Sequence, residues 1–104
     1  MNYLDLIIKE YIRVVEMLSS DYPIENNRII IEREKFREFL EKYAYMTFSE
    51  KTKAYKALNF IIHDSNNYTI PCKDLELKKT VRKVVINYST HQVVKKLYET
   101  NVNI

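Results

Sequence analysis

The chain has 104 residues, 12.6 kDa, no glycine, one cysteine and a formal net charge of +3. That length bounds one domain with room for a core, and the missing glycine excludes the phosphate-cradling loops of nucleotide enzymes. Cys72 has no partner for a disulfide within the chain, which fits a reducing, cytoplasmic setting. No segment reaches the roughly 18 apolar residues of a membrane span, so no membrane association is expected, and the N-terminus lacks the basic region and cleavage site of a secretory signal.

Charge is unevenly spread. Residues 1–27 hold two cations, Lys9 and Arg13, against five acids, Asp5, Glu10, Glu16, Asp21 and Glu25. The rest of the chain therefore carries 15 cations against nine acids. A polyanion is expected to bind there.

In chain order, residues 3–18 are predicted to form a helix. Leu4, Ile7, Ile8, Tyr11, Ile12, Val15 and Leu18 keep the three-and-four spacing of one buried face, and Leu6 and Val14 widen it. A stripe this broad can be core alone or can also meet a second copy of the chain through Leu4, Ile8, Tyr11 and Val15, which makes a homodimer the expectation. Pro23 prevents continuation. Asn26 and Asn27, which tolerate left-handed backbone, turn the chain, and the β-branched run Arg28–Ile31 reads as a strand.

A second helix is predicted from Glu32 to about Tyr43, with Phe36, Phe39, Leu40 and Tyr43 on its stripe. A third, about 48–60, begins at a capping box in which Thr47 and Glu50 satisfy each other's amides. Phe48, Tyr55, Leu58 and Ile62 point inward, flanked by Ala54 and Ile61, while Ser49, Lys53 and Lys56 point outward with Thr52 at the edge. Lys51 falls near the inner face and is expected to snorkel out past the core. A short turn between two amphipathic helices is the helix-turn-helix pattern.

Next comes a predicted hairpin, Asn67–Lys73 followed by Thr80–Asn87, with Leu75 and Leu77 near its tip. Four cations, Lys78, Lys79, Arg82 and Lys83, crowd six positions with no acid among them. The register leaves two outward sets open, Lys78, Thr80 and Arg82 or Lys79, Val81 and Lys83. Ser89 and Gln92 suggest a second capping box, opening a last helix to about Thr100 with Val93, Val94 and Leu97 apolar and Lys95 and Lys96 exposed; Asn101–Ile104 is expected to fray. The fold class that follows is α+β, with four helices packed on a small three-stranded sheet that carries a basic hairpin.

No enzyme is expected. The histidines are His63 and His91, with no CxxC or HExxH spacing for a metal, so no catalytic residue, metal or cofactor is assigned. His63-Asp64 reads as a surface turn, His91 as an exposed first-turn residue, and Ser49 and Ser89 as parts of helix starts. DNA binding needs cations for phosphates and polar groups for base edges. The third helix offers Ser49, Lys53 and Lys56 but few base readers, since Asn59 lies near its end. The hairpin is better equipped. Arg82 suits a guanine edge or a narrow minor groove, Lys73, Lys78, Lys79 and Lys83 suit phosphates, and Thr80 can donate a hydrogen bond. The plainer reading of these cations is a solvated edge, where lysine deters aggregation.

With this order of elements, residues 28–100 resemble the winged helix-turn-helix DNA-binding family, the hairpin standing as the wing. Residues 1–18 stand outside as an N-terminal helix of the same single domain, 1–104. The Lys/Ile/Asn/Tyr-rich style is similar to proteins of AT-rich, low-GC Gram-positive bacteria, and the chain looks most like the TcpK-type accessory proteins of clostridial conjugative-plasmid relaxosomes. That resemblance implies binding of double-stranded DNA near a transfer origin, beside a relaxase or another relaxosome protein. Two alternatives stay open: a small prophage or plasmid transcriptional regulator, and a winged helix module that docks proteins and binds no DNA.

Overall fold

A computed structural model describes residues 3–102, with side chains as far as Glu99. Four helices and four strands follow in the order α1 (Tyr3–Ser19), β1 (Arg28–Ile31), α2 (Arg33–Glu41), α3 (Phe48–Ala57), β2 (Ile61–Ile62), β3 (Ile70–Asp74), β4 (Lys79–Asn87) and α4 (Tyr88–Val102). The α+β class and the four helices agree with the sequence reading; the sheet has four antiparallel strands, not three. No helix among the described residues is long and apolar enough to cross a membrane.

β4 is the strand the others share. Its second half lies between β1 and β2, with Ile29 and Ile61 both opposite Ile86. Its first half pairs with β3, Ile70 opposite Lys83 and Asp74 opposite Lys79. Side chains alternate across a strand, so Ile29, Ile31, Ile61, Val84 and Ile86 share one face and enter the core. There they meet Ile7, Tyr11, Val14, Val15 and Leu18 of α1, Phe36 and Leu40 of α2, and Tyr55 of α3. Tyr11 stacks flat on Phe60 with centroids 3.8 Å apart.

The extra strand exists because α3 stops early. Asn59 sits at φ 59°, in the left-handed region. The Phe60 amide donates to Tyr55 O at 2.9 Å and the Asn59 amide to Lys56 O at 3.2 Å. This is a Schellman stop, with asparagine in the place glycine usually takes and Phe60 packed on Tyr55. Ile61 and Ile62 are then strand residues, which corrects the reading of Ile62 as an inward helical position. Asn26 and Asn27 are also left-handed, at φ 53° and 61°, as the asparagine turn required.

Two more boundaries differ. α2 ends at Glu41, leaving Tyr43 exposed beneath the Arg13 guanidinium at 5.2 Å instead of on the inner stripe. β4 runs directly into α4, and Asn87 Oδ1 accepts from the Thr90 amide at 3.2 Å. Asn87 is therefore the cap, and Ser89 lies inside the helix, so the Ser89–Gln92 box does not form. The earlier start turns Tyr88, His91, Val94 and Tyr98 inward and leaves Val93 and Leu97 exposed, while Lys95 pairs with Glu16 of α1 at the surface, 2.8 Å away. His91 is buried, against the expectation of an exposed ring, and stacks on Tyr88 at 5.4 Å. Of the end expected to fray, Asn101 and Val102 are helical, and Asn103 and Ile104 lie outside the described residues.

Candidate nucleic-acid interface

Lys51 sets the position of α3. Its side chain is 0% exposed, against the expectation that it snorkels outward. The ammonium donates to Glu10 Oε2 of α1 at 2.6 Å and to the carbonyls of Leu40 and Tyr43, each at 2.5 Å. Its three N–H groups are thus all used. The Tyr45 ring lies 4.2 Å from the same nitrogen, and Glu10 Oε1 accepts from Tyr55 Oη at 3.1 Å. Burial pushes the Tyr55 phenol well up, so it stays a neutral donor. One cation therefore ties α1, the end of α2, the turn after it and α3. Taking a charge out of water is costly unless partners surround it, and here they do.

The start of α3 is the box expected from the sequence. The Glu50 amide donates to Thr47 Oγ1 at 3.1 Å, and the Thr47 amide donates to Glu50 Oε1 at 3.0 Å. The Thr47 amide holds the Glu50 carboxyl below its ordinary range, so the acid at this helix end is committed to the cap. Ser49 and Lys53 are exposed, and Lys56 is half-buried.

Tyr68 joins this end of α3 to the hairpin. Its ring meets Phe48, the first residue of α3, edge-on at 5.5 Å, and Phe36 of α2 at 6.0 Å. The hairpin leaves the body from there. By alternation Pro71, Lys73, Thr80 and Arg82 continue the sheet face on which the helices pack, and Ile70, Cys72, Asp74, Lys79, Val81 and Lys83 lie on the other. Of the two outward sets left open by the sequence, Thr80 and Arg82 share the side of α3. Lys73 and Thr80, directly opposite each other, are both exposed.

Arg82 is occupied. Its Nε donates to Thr69 Oγ1 at 2.9 Å, and its Nη2 donates to Thr69 O at 2.6 Å and Asp64 Oδ2 at 2.5 Å. The fork expected to read a base instead pins the segment before β3, and Thr69 is buried. Lys83 is also engaged, 3.6 Å from Asp74 Oδ2 on the far face. The cations left outward on the hairpin are Lys73, Lys78 and Lys79, all exposed. Lys78 takes φ 54° in the tip turn.

Compared with known proteins, the chain matches no family model and no curated protein. The site therefore stands on its own geometry. Among the described residues no three His, Cys, Asp or Glu side chains are grouped to hold a metal ion. Of the residues expected at a dimer contact, Tyr11 and Val15 are fully buried in the chain's own core and cannot meet a second copy. Leu4 is 53% exposed and Ile8 is half-buried, packed against the core. The anchors Asp64 and Thr69 of Arg82, and Glu10 of Lys51, were missed by the sequence reading. Nothing local signals pairs 18, 13 and 41 residues apart.

Proposed function

We propose that the chain is a non-catalytic, sequence-specific double-stranded DNA-binding protein of the winged helix type. The observation that carries the reading is the side of the sheet shared by α3 and the hairpin. Ser49 and Lys53 stand exposed on α3 and Lys73 and Thr80 on the adjoining hairpin face, with Lys78 exposed in the tip turn and Lys79 exposed on the hairpin's other face. The order helix, strand, helix, helix, strand, strand supports it, with β1 and β3 both pairing β4 as in a winged helix; β2 is a short addition. Lysines supply phosphate contacts, which position a protein and give affinity. Arg82 acts through the loop it holds, as a positioning residue.

The resemblance to relaxosome accessory proteins makes a plasmid transfer origin the proposed target, with a relaxase or another relaxosome protein as the proposed neighbour on the DNA, in a cytoplasmic setting. The homodimer remains a proposal too, resting on Leu4 and Ile8. The test of the DNA reading is selection of bound fragments from the native replicon, followed by protection mapping on the winner. Recovery of one short region, with Lys73→Ala/Lys79→Ala and Lys53→Ala both weakening it, supports the reading. Recovery of no fragment above background overturns it and leaves a protein-docking module.

A further inference from the structure

The hairpin tip carries more than charge. Leu75 is 80% exposed and Leu77 59%, an arrangement that water disfavours. The tip is nonetheless built. Asp74 Oδ1 accepts from the amides of Glu76 and Leu77, both at 3.0 Å, and the Leu77 amide, with help from Lys83, holds the Asp74 carboxyl below its ordinary range. The acid is thereby committed to the turn. Around the leucines stand Lys73 on one strand and Lys78 and Lys79 on the side of the other, all exposed.

We propose that this tip is a wedge that enters the minor groove of a duplex, with Leu75 and Leu77 unstacking a base step and bending the DNA. The inference rests on the DNA-binding reading above. A minor groove offers the apolar faces of a base step, once unstacked, between two rows of phosphate, and the tip offers leucines between lysines carried by both strands. Apolar side chains inserted this way kink duplexes in other minor-groove binders. A second copy of the chain fits less well, because tip-to-tip contact would bring like charges together. A flat bilayer would be reached by the tip alone, since β3 stands about 17 Å long at roughly 3.4 Å per residue, whereas the DNA-binding reading also uses the exposed Lys53 of α3. Glu76, the other acid at the tip, opposes the approach.

The test uses the full chain and duplexes with 2-aminopurine at a flexible TA step and an energy-transfer pair at the ends. The native chain is expected to bend the duplex by about 20–90° and raise 2-aminopurine emission. Leu75→Ser/Leu77→Ser should keep the circular dichroism spectrum and the salt slope, bind on the order of ten-fold more weakly, and lose both bend and emission. Lys78→Ala/Lys79→Ala should lower the salt slope by about two units and still bend what it binds. If the leucine variant bends DNA as the native chain does, the wedge is wrong and the DNA reading stands. If the native chain binds no duplex at low salt, that reading fails and the wedge with it. If the leucine change instead turns a dimer into a monomer, or abolishes capture by phosphatidylserine vesicles, the tip is a protein or lipid contact and the inference is overturned.

Discussion

Lys51→Met removes a buried cation while keeping most of its length. Glu10, whose side chain is 4% exposed, then faces the core as an unpaired carboxylate, and the carbonyls of Leu40 and Tyr43 lose a donor. Breaking one half of a buried pair costs about 3–5 kcal/mol, a large share of the roughly 5–15 kcal/mol that holds a domain folded. In a chain of this size the melting temperature should fall by roughly 15–30 °C. The double variant Lys51→Met/Glu10→Leu should recover most of that loss, because apolar groups replace both charges. It should not recover all of it, since Tyr55 Oη loses its acceptor, worth about 1 kcal/mol. Thermal melts and urea titrations of the four proteins in the cycle give the coupling. A loss under about 1 kcal/mol for Lys51→Met, or a double variant weaker than either single, would mean that water reaches the pair and that it does not hold α3.

Other expectations follow from the same contacts. Arg82→Ala should speed amide exchange at Thr69 and Ile70 and cost about 1 kcal/mol, most of it from the buried Thr69 bonds, while leaving DNA sequence preference intact; relaxed preference would restore Arg82 as a base reader. Asn59→Val should destabilise by about 1–2 kcal/mol, because a β-branched residue resists the left-handed backbone that ends α3; an unchanged urea midpoint would remove the Schellman stop. Burial, with Lys95 adding repulsion, pushes His91 below its ordinary 6.5. The unfolded chain therefore binds the proton first as pH falls, so stability held above pH 6.5 is lost progressively below it. His91→Phe should flatten that part of the melting-temperature profile, and an identical slope in the variant would contradict the assignment.

The elements that the sequence declared were those written in neighbouring residues. The α1 stripe, the Thr47–Glu50 box and the asparagine turn before β1 all depend on partners within about four positions. Asn59 was also a local signal, a helix stop in a chain that has no glycine to spare, and it was read as a possible base reader instead. β2 has two residues, too few for a period of two to show. The inner face of α4 hid because Tyr88, His91 and Tyr98 share it with Val94 alone of the apolar residues Val93, Val94 and Leu97 in which a stripe was sought. The candidate site was harder still. Composition located the basic hairpin, but the partners that decide which cations are free, Asp64, Thr69 and Asp74, act across the fold. Four crowded cations therefore all looked available to DNA when Arg82 and Lys83 were already engaged.

The DNA-binding claim meets its most direct test in a salt titration with random duplex, read by fluorescence anisotropy for the native chain and for Lys73→Ala/Lys78→Ala/Lys79→Ala. If Lys53, Lys73, Lys78 and Lys79 each meet a phosphate, log affinity should fall against log salt with a slope of about −3.6, and the triple variant should retain a slope of about −0.9. No binding by the native chain at the lowest salt, or the same slope in both proteins, would contradict the account.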